Sequence, residues 1–76
     1  MKELIHYLAT ALVDHPDQVQ IRETEEDDAV TVELRVAKED LGKVIGKQGR
    51  TAKAMRSLLS AAAGSENKRS RLEIME

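Results

Sequence analysis

The apolar residues of this chain change their spacing three times, and these changes limit the fold more than any other feature. At the start they recur every three or four positions, which is the period of a helix with one buried face. They then alternate with polar residues, which indicates half-buried strands, and later return to helical spacing before a last short alternation. The sequence therefore predicts the order helix, strand, strand, helix, helix, strand.

The first half of the chain is predicted to form one helix and two strands. We expect the helix over residues 2–14, because the residue before Pro16 is biased away from helical backbone. Alternation predicts strands over residues 18–22 and 30–36. The acidic residues 25–28 between them fit a short solvated turn.

The second half returns to helical spacing around two glycines. A short helix that begins near Lys38 has to stop at Gly46. A second helix follows Gly49, and Gly64 favours its C-terminus. The polar stretch after this helix leads to a final predicted strand over residues 71–74.

These elements fit a two-layer α+β sandwich. Three helices are enough to cover one face of a three-stranded sheet, and each predicted strand has only one apolar face. The chain has 76 residues, so we expect one domain over residues 1–76, because a domain of about 60 residues already buries only about 60% of its surface. Without cysteine, its core depends on aliphatic packing rather than on disulfides.

Charge is distributed unevenly along the chain. Its formal net charge is −2, but residues 1–40 hold four basic and eleven acidic side chains, whereas residues 41–76 hold eight basic and three acidic ones. The acidic average therefore conceals a basic patch, which contains no acid between Leu41 and Leu58 and consists of Lys43, Lys47, Arg50, Lys53 and Arg56. Such a local patch is compatible with a nucleic-acid partner.

The four residues from Gly46 to Gly49 lie where the two later helices meet. A glycine has no Cβ, so the backbone can turn sharply and approach a sugar-phosphate chain closely. The N-terminus of the following helix favours an anion, and Lys47 and Arg50 add positive charge. The segment therefore predicts a phosphate-binding loop. The competing interpretation is that both glycines only form a helix-helix turn.

This loop, preceded by Val44 and Ile45 and followed by a basic helix, resembles the GxxG motif of the KH domain. The element order is similar to the bacterial, type II arrangement, in which three helices lie on one face of a three-stranded mixed sheet. The resemblance covers the whole chain and is strongest to small bacterial single-KH-domain RNA chaperones of the KhpA (YlqC-like) family. It implies a clamp for about four nucleotides of single-stranded RNA beside an apolar groove.

The resemblance also implies which residues bind RNA and which partners the chain has. The groove would be lined by Leu41, Val44, Ile45 and Val36, and the full set of expected RNA-binding residues is Lys43, Val44, Ile45, Gly46, Lys47, Gln48, Gly49, Arg50, Lys53 and Arg56. The family implies a homodimer, or a heterodimer with a larger KH-containing protein of the Jag type. It further implies RNA chaperone activity and post-transcriptional control of peptidoglycan homeostasis, cell shape and cell length, with no cofactor.

Other kinds of site fit the sequence poorly. A P-loop needs four residues between its glycines and a hydroxyl after its lysine, whereas three residues separate Gly42 from Gly46 and Gln48 follows Lys47. His6 and His15 have no further metal ligands beside them. No nucleophile and base form a recognisable arrangement, so we expect neither an enzyme nor a small-molecule substrate.

The single aromatic residue, Tyr7, argues against RNA-binding modules that stack bases on aromatic side chains. The first helix has charged residues within its apolar stretch, so it fits neither a signal peptide nor a membrane span, and we expect a cytoplasmic protein.

An alternative function is a KH-fold protein-interaction module that acts by dimerising with a larger partner. Residues 61–63, all alanine, suit either a crowded core or close approach of another helix.

Overall fold

The structure is a computed structural model, and it describes residues 1–75. The main elements, in chain order, are α1 (Lys2–Leu12), β1 (Gln20–Glu25), β2 (Ala29–Arg35), α2 (Leu41–Ile45), α3 (Arg50–Gly64) and β3 (Arg69–Met75). Short 3-10 turns at Pro16–Gln18, Lys38–Asp40 and Lys47–Gly49 lie between them. The predicted order of helices and strands is confirmed.

Several element boundaries differ from the sequence prediction, and among them α2 begins at Leu41 rather than near Lys38. Helix α1 ends at Leu12, because Val13 already has extended backbone, with φ −95° and ψ 161°. Strand β1 continues to Glu25, so the acidic turn is shorter than predicted. Strand β3 begins two residues early, because Arg69 pairs with Ala29 at the start of β2. Both differences in the strands follow from pairing along the full length of β2.

The sheet has the order β1-β2-β3. Strands β1 and β2 are antiparallel, with Ile21 opposite Leu34. Strands β2 and β3 are parallel, with Val32 opposite Leu72. This confirms the predicted three-stranded mixed sheet, and it makes β3 an edge strand.

The core between the sheet and the helices is aliphatic. It receives residues from all three helices and from the central and edge strands, and its fully buried members include Ile5, Val30, Val32, Leu34, Val44 and Leu59. Apolar burial contributes roughly 25 cal/mol per Å², so a core of this kind stabilises the domain without aromatic residues or disulfides. Helix α3 lies along β3 and contributes Met55 and Leu59.

One buried carboxylate positions the segment that leads to the glycine loop. Asp40, only 1% exposed, directly precedes α2. Its carboxylate accepts hydrogen bonds from the backbone N–H groups of Asp14, at 3.1 Å, and His15, at 2.9 Å. Because a buried carboxylate is stable only when it is hydrogen-bonded, Asp40 fixes the turn after α1 against the start of α2.

Candidate nucleic-acid interface

The glycine loop joins α2 to α3, and three of its residues have positive φ. Gly46 has φ 78° and ψ 172°, Gln48 has φ 58° and ψ 27°, and Gly49 has φ 74° and ψ 12°. A positive φ is unfavourable for a residue with a Cβ, and such strain occurs often at ligand sites. Gln48 is one of two non-glycine residues with positive φ within residues 1–75. The loop therefore turns sharply between the helices.

The two glycines are required to different degrees. A Cβ on Gly46 would lie 2.2 Å from Oγ1 and 2.8 Å from the backbone N of Thr51, the second residue of α3. A Cβ on Gly49 would meet nothing within 4 Å. Gly46 is therefore held in contact with α3 where no side chain fits, whereas Gly49 is needed only for its backbone conformation.

Two backbone donors of the loop are unpaired. The Gly46 N–H donates to the Gly42 carbonyl at 2.8 Å, and the Gly49 N–H donates to the Gly46 carbonyl at 3.1 Å. The N–H groups of Lys47 and Gln48 have no acceptor in the part of the chain that the structure describes. They stand beside the N-terminus of α3, whose dipole favours an anion. The backbone can therefore donate hydrogen bonds to a phosphate here.

Four of the predicted cations extend from the loop along α3. Lys47, Arg50, Lys53 and Arg56 are exposed, and none of them forms an ion pair with another residue of the described chain. Arg50 also donates a hydrogen bond from Nη2 to Oε1 of Gln48, at 3.4 Å. The positive charge that follows the loop is therefore available to a ligand.

Lys43, which was predicted to belong to the same patch, has a different environment. Its Nζ lies 3.2 Å from Oδ2 of Asp14, in the turn that Asp40 fixes. This pair joins α2 to the end of α1 and partly neutralises the lysine. Lys43 is therefore paired with an acid, whereas Lys47, Arg50, Lys53 and Arg56 form no such pair within residues 1–75.

The predicted apolar groove is smaller than expected. Val44 is 0% exposed and Val36 is 4% exposed, because both belong to the core. Ile45, immediately before the loop, is 37% exposed, and Leu41 is half-buried. Of these four predicted groove residues, only Ile45 and Leu41 therefore offer apolar surface, whereas Val44 and Val36 belong to the core.

Arg71 is not among the residues that the sequence predicts to bind RNA. Arg71 on β3 and Arg56 on α3 line the same surface depression, together with Leu59, Ser60, Ser70 and Leu72. Arg71 is exposed and has no ion-pair partner among residues 1–75. The alternating pattern of β3 predicts that Arg71 and Leu72 face opposite sides of the strand. The pattern does not show that α3 lies beside β3, so the sequence alone did not place Arg71 near Arg56.

The described residues contain neither a metal site nor a helix that could span a membrane. No group of three His, Cys, Asp or Glu side chains is arranged to hold a metal ion there. His15 lies with its Nε2 3.8 Å from Oε2 of Glu39, and His6 is exposed on α1. No helix between residues 1 and 75 has the length and hydrophobicity needed to cross a bilayer.

Comparison with known proteins gives one consistent result. The model of the KH domain of KhpA and KhpB matches residues 2–74. The RNA-binding protein KhpA of Halalkalibacterium halodurans is 51% identical over 76 residues, which cover 100% of both chains. The protein of the same name from Clostridium acetobutylicum is 53% identical over 75 residues, 99% of this chain and 100% of its own. The Listeria monocytogenes protein is 51% identical over 100% of both chains. Among solved structures, none matches.

Proposed function

The chain belongs to the KhpA/KhpB KH-domain family, and on this basis we propose that it binds single-stranded RNA through its glycine loop. The family consists of RNA-binding proteins, so the chain is not an enzyme. The proposed ligands of the RNA backbone are Gly46, Lys47, Gln48, Gly49, Arg50, Lys53 and Arg56.

The main support for this proposal is that unpaired backbone N–H groups and unpaired basic side chains occur together in the glycine loop and the first turn of α3. The loop offers the unpaired N–H groups of Lys47 and Gln48, and the absence of a side chain at Gly46 lets the loop pack directly against α3. Lys47 and Arg50 add charge that no acid of the described chain neutralises. Anions bind in such concave stretches of backbone N–H groups, and the phosphates of RNA form a row of anions.

The small apolar surface supports weak and unselective binding. Ile45 is the main exposed aliphatic residue beside the loop, and the sole aromatic residue, Tyr7, lies on α1. Base stacking on aromatic side chains contributes roughly 1–3 kcal/mol per base, and this contribution is missing beside the loop. We therefore expect phosphate contacts to dominate affinity.

The dominance of phosphate contacts predicts a strong salt dependence. About four phosphate contacts with single-stranded RNA give a log-log slope of the binding constant against salt near −3. Lys53→Ala is expected to reduce the size of this slope by about 0.7, whereas Lys43→Ala, which removes a cation paired with Asp14, leaves it unchanged. Fluorescence anisotropy with a short labelled RNA measures both slopes. A slope near zero for the wild type contradicts the proposal.

A second candidate function is protein interaction through dimerisation. Leu58 on α3 is 48% exposed, and Ala54 and Ala61 beside it are exposed as well. Small residues around an exposed leucine permit another helix to approach. We propose that this surface joins a second copy of the chain, or a larger KH-containing partner of the Jag type.

Leu58→Glu is expected to convert a dimer to a monomer, because it places a charge at the centre of an apolar interface. Light scattering after size-exclusion chromatography measures the change in mass. Ser57→Glu is a matched control, because it adds the same charge at the neighbouring exposed position. If the wild type is monomeric at high concentration, or if both variants dissociate equally, the proposed self-association is wrong.

We also propose a cellular role that follows from weak, unselective RNA binding. A domain that holds RNA mainly by its backbone can act on many transcripts and fits an RNA chaperone. In the cytoplasm it would take part in post-transcriptional control, including that of cell-wall growth and cell length. The support for this role is the resemblance to the family together with the small apolar surface beside the loop.

A further inference from the structure

The acidic turn between β1 and β2 is bound to the segment that precedes β3. Lys68 Nζ donates a hydrogen bond to the Glu25 carboxylate. Arg69 Nη2 lies 2.9 Å from Oδ2 of Asp28, and the Arg69 backbone N–H donates to the Asp28 carbonyl at 2.7 Å. Two acids of the turn therefore neutralise two of the eight basic residues in the C-terminal half. The sequence predicts a solvated turn here but does not indicate these ion pairs.

These ion pairs lie where the row of free cations ends. Helix α3 has 15 residues and is therefore about 22 Å long, with Arg50 at the loop end. Arg56 and Arg71 share a depression along it, and Arg71, Ser70 and Arg69 line the next depression, beside the acidic turn. A strand of RNA that leaves the loop and follows α3 would reach Arg71 first and then Arg69.

We propose that Glu25 and Asp28 set the length of RNA that the domain holds, by keeping Lys68 and Arg69 from contact with phosphate. This inference rests on the proposed RNA binding and adds a specificity determinant to it. The row of cations available to RNA ends at Arg71 because the next two are already paired. RNA that extends beyond Arg71 then gains little affinity.

The two pairs differ in how firmly they hold their cation. The Lys68 side chain is 18% exposed, and its hydrogen bond to Glu25 raises the pKa of the ammonium group. The Arg69 side chain is 82% exposed and that of Asp28 is 64% exposed, and exposed pairs contribute little to stability. Removal of the acids therefore leaves the fold intact, and it frees both Lys68 and Arg69 to reach a phosphate.

The test compares two double variants that change net charge equally. Glu25→Gln with Asp28→Asn removes the paired acids, whereas Glu26→Gln with Asp27→Asn removes two exposed acids of the same turn that form no ion pair within residues 1–75. Anisotropy is measured with oligouridylates of about four and about twelve nucleotides, the shorter matching the clamp. Relative to the control, the first variant is expected to bind the longer RNA on the order of tenfold more tightly, with a salt slope steeper by about 1.4. The two double variants should bind the shorter RNA with equal affinity.

Each other outcome overturns a stated part of the account. Equal strengthening by both double variants, or equal strengthening for both RNA lengths, leaves only a general charge effect and contradicts the inference. If the wild type binds neither RNA, the proposed function fails and this inference fails with it. If the wild type binds RNA but the two double variants bind the longer RNA equally, the inference is wrong and the proposed function stands.

A single substitution tests the same inference without touching the acidic turn. Because Arg69 is withheld in the wild type, Arg69→Gln is expected to leave affinity for the longer RNA unchanged, whereas Arg71→Gln lowers it several-fold. If Arg69→Gln weakens binding as much as Arg71→Gln, then Arg69 already contacts RNA and the inference is wrong.

Discussion

Gly46→Ala is expected to weaken RNA binding on the order of tenfold and to destabilise the domain by about 2–4 kcal/mol. The backbone of Gly46, at φ 78° and ψ 172°, is in a region that residues with a Cβ avoid. The added Cβ would also lie 2.2 Å from Thr51 Oγ1 and 2.8 Å from the Thr51 backbone N. The loop has to move away from α3, and the N–H groups of Lys47 and Gln48 move with it.

Gly49→Ala is the matched control for this substitution. Gly49 has left-handed backbone but open space around its Cα, so alanine is expected to cost only about 1 kcal/mol. Urea unfolding measures the two stabilities, and anisotropy measures RNA affinity at a temperature where both variants are folded. Equal losses for the two variants would mean that contact between Gly46 and Thr51 does not shape the loop.

The sequence was sufficient to predict the elements of the fold because each has a clear apolar period. Burial along β2 alternates as expected, with Val30, Val32 and Leu34 facing the core. The ends of the elements depended on contacts that periodicity does not contain. Strand β3 begins at Arg69 because it pairs with Ala29, 40 positions earlier in the chain, and no local signal marks that residue.

The role of Asp40 illustrates a second limit of sequence reasoning. An aspartate that directly follows two charged residues is expected on the surface, yet Asp40 is buried and accepts hydrogen bonds from two backbone N–H groups more than twenty residues away. The partner groups belong to the backbone of Asp14 and His15, so no side-chain pattern indicates them. Only the folded arrangement of α1 and α2 shows the contact.

For the candidate site, the sequence located the loop but not the surroundings of each side chain. The glycines and the following cations are consecutive, so their proximity follows from local geometry. The burial of Val44 and the pairing of Lys43 with Asp14 depend on how α2 lies against the core and α1. The depression that Arg71 shares with Arg56 depends on the contact between α3 and β3. These are long-range properties, so the sequence alone did not indicate them.

The largest expected effect on function is that of Lys47→Asp combined with Gln48→Asp. The two carboxylates would face the phosphates at the position of the free N–H groups, and one cation would be lost. We expect affinity for single-stranded RNA to fall on the order of a hundredfold. The fold should survive, because both residues are exposed and aspartate tolerates the left-handed backbone of Gln48.

A control for this variant is Lys38→Asp combined with Asn67→Asp. It changes net charge by the same amount, and Asn67 also has positive φ, at 59°, but lies beyond the opposite end of α3. Both double variants alter exposed residues, so circular dichroism should give the wild-type spectrum for each. Any difference in RNA binding between them then reflects the loop rather than the total charge.

The measurement that tests the central claim most directly is fluorescence anisotropy of a short labelled single-stranded RNA with the wild type and these two double variants. Binding that is lost with Lys47→Asp and Gln48→Asp, and kept with the control, is the result that a phosphate clamp in the glycine loop predicts. Equal binding by all three proteins, or no binding by the wild type, would contradict it.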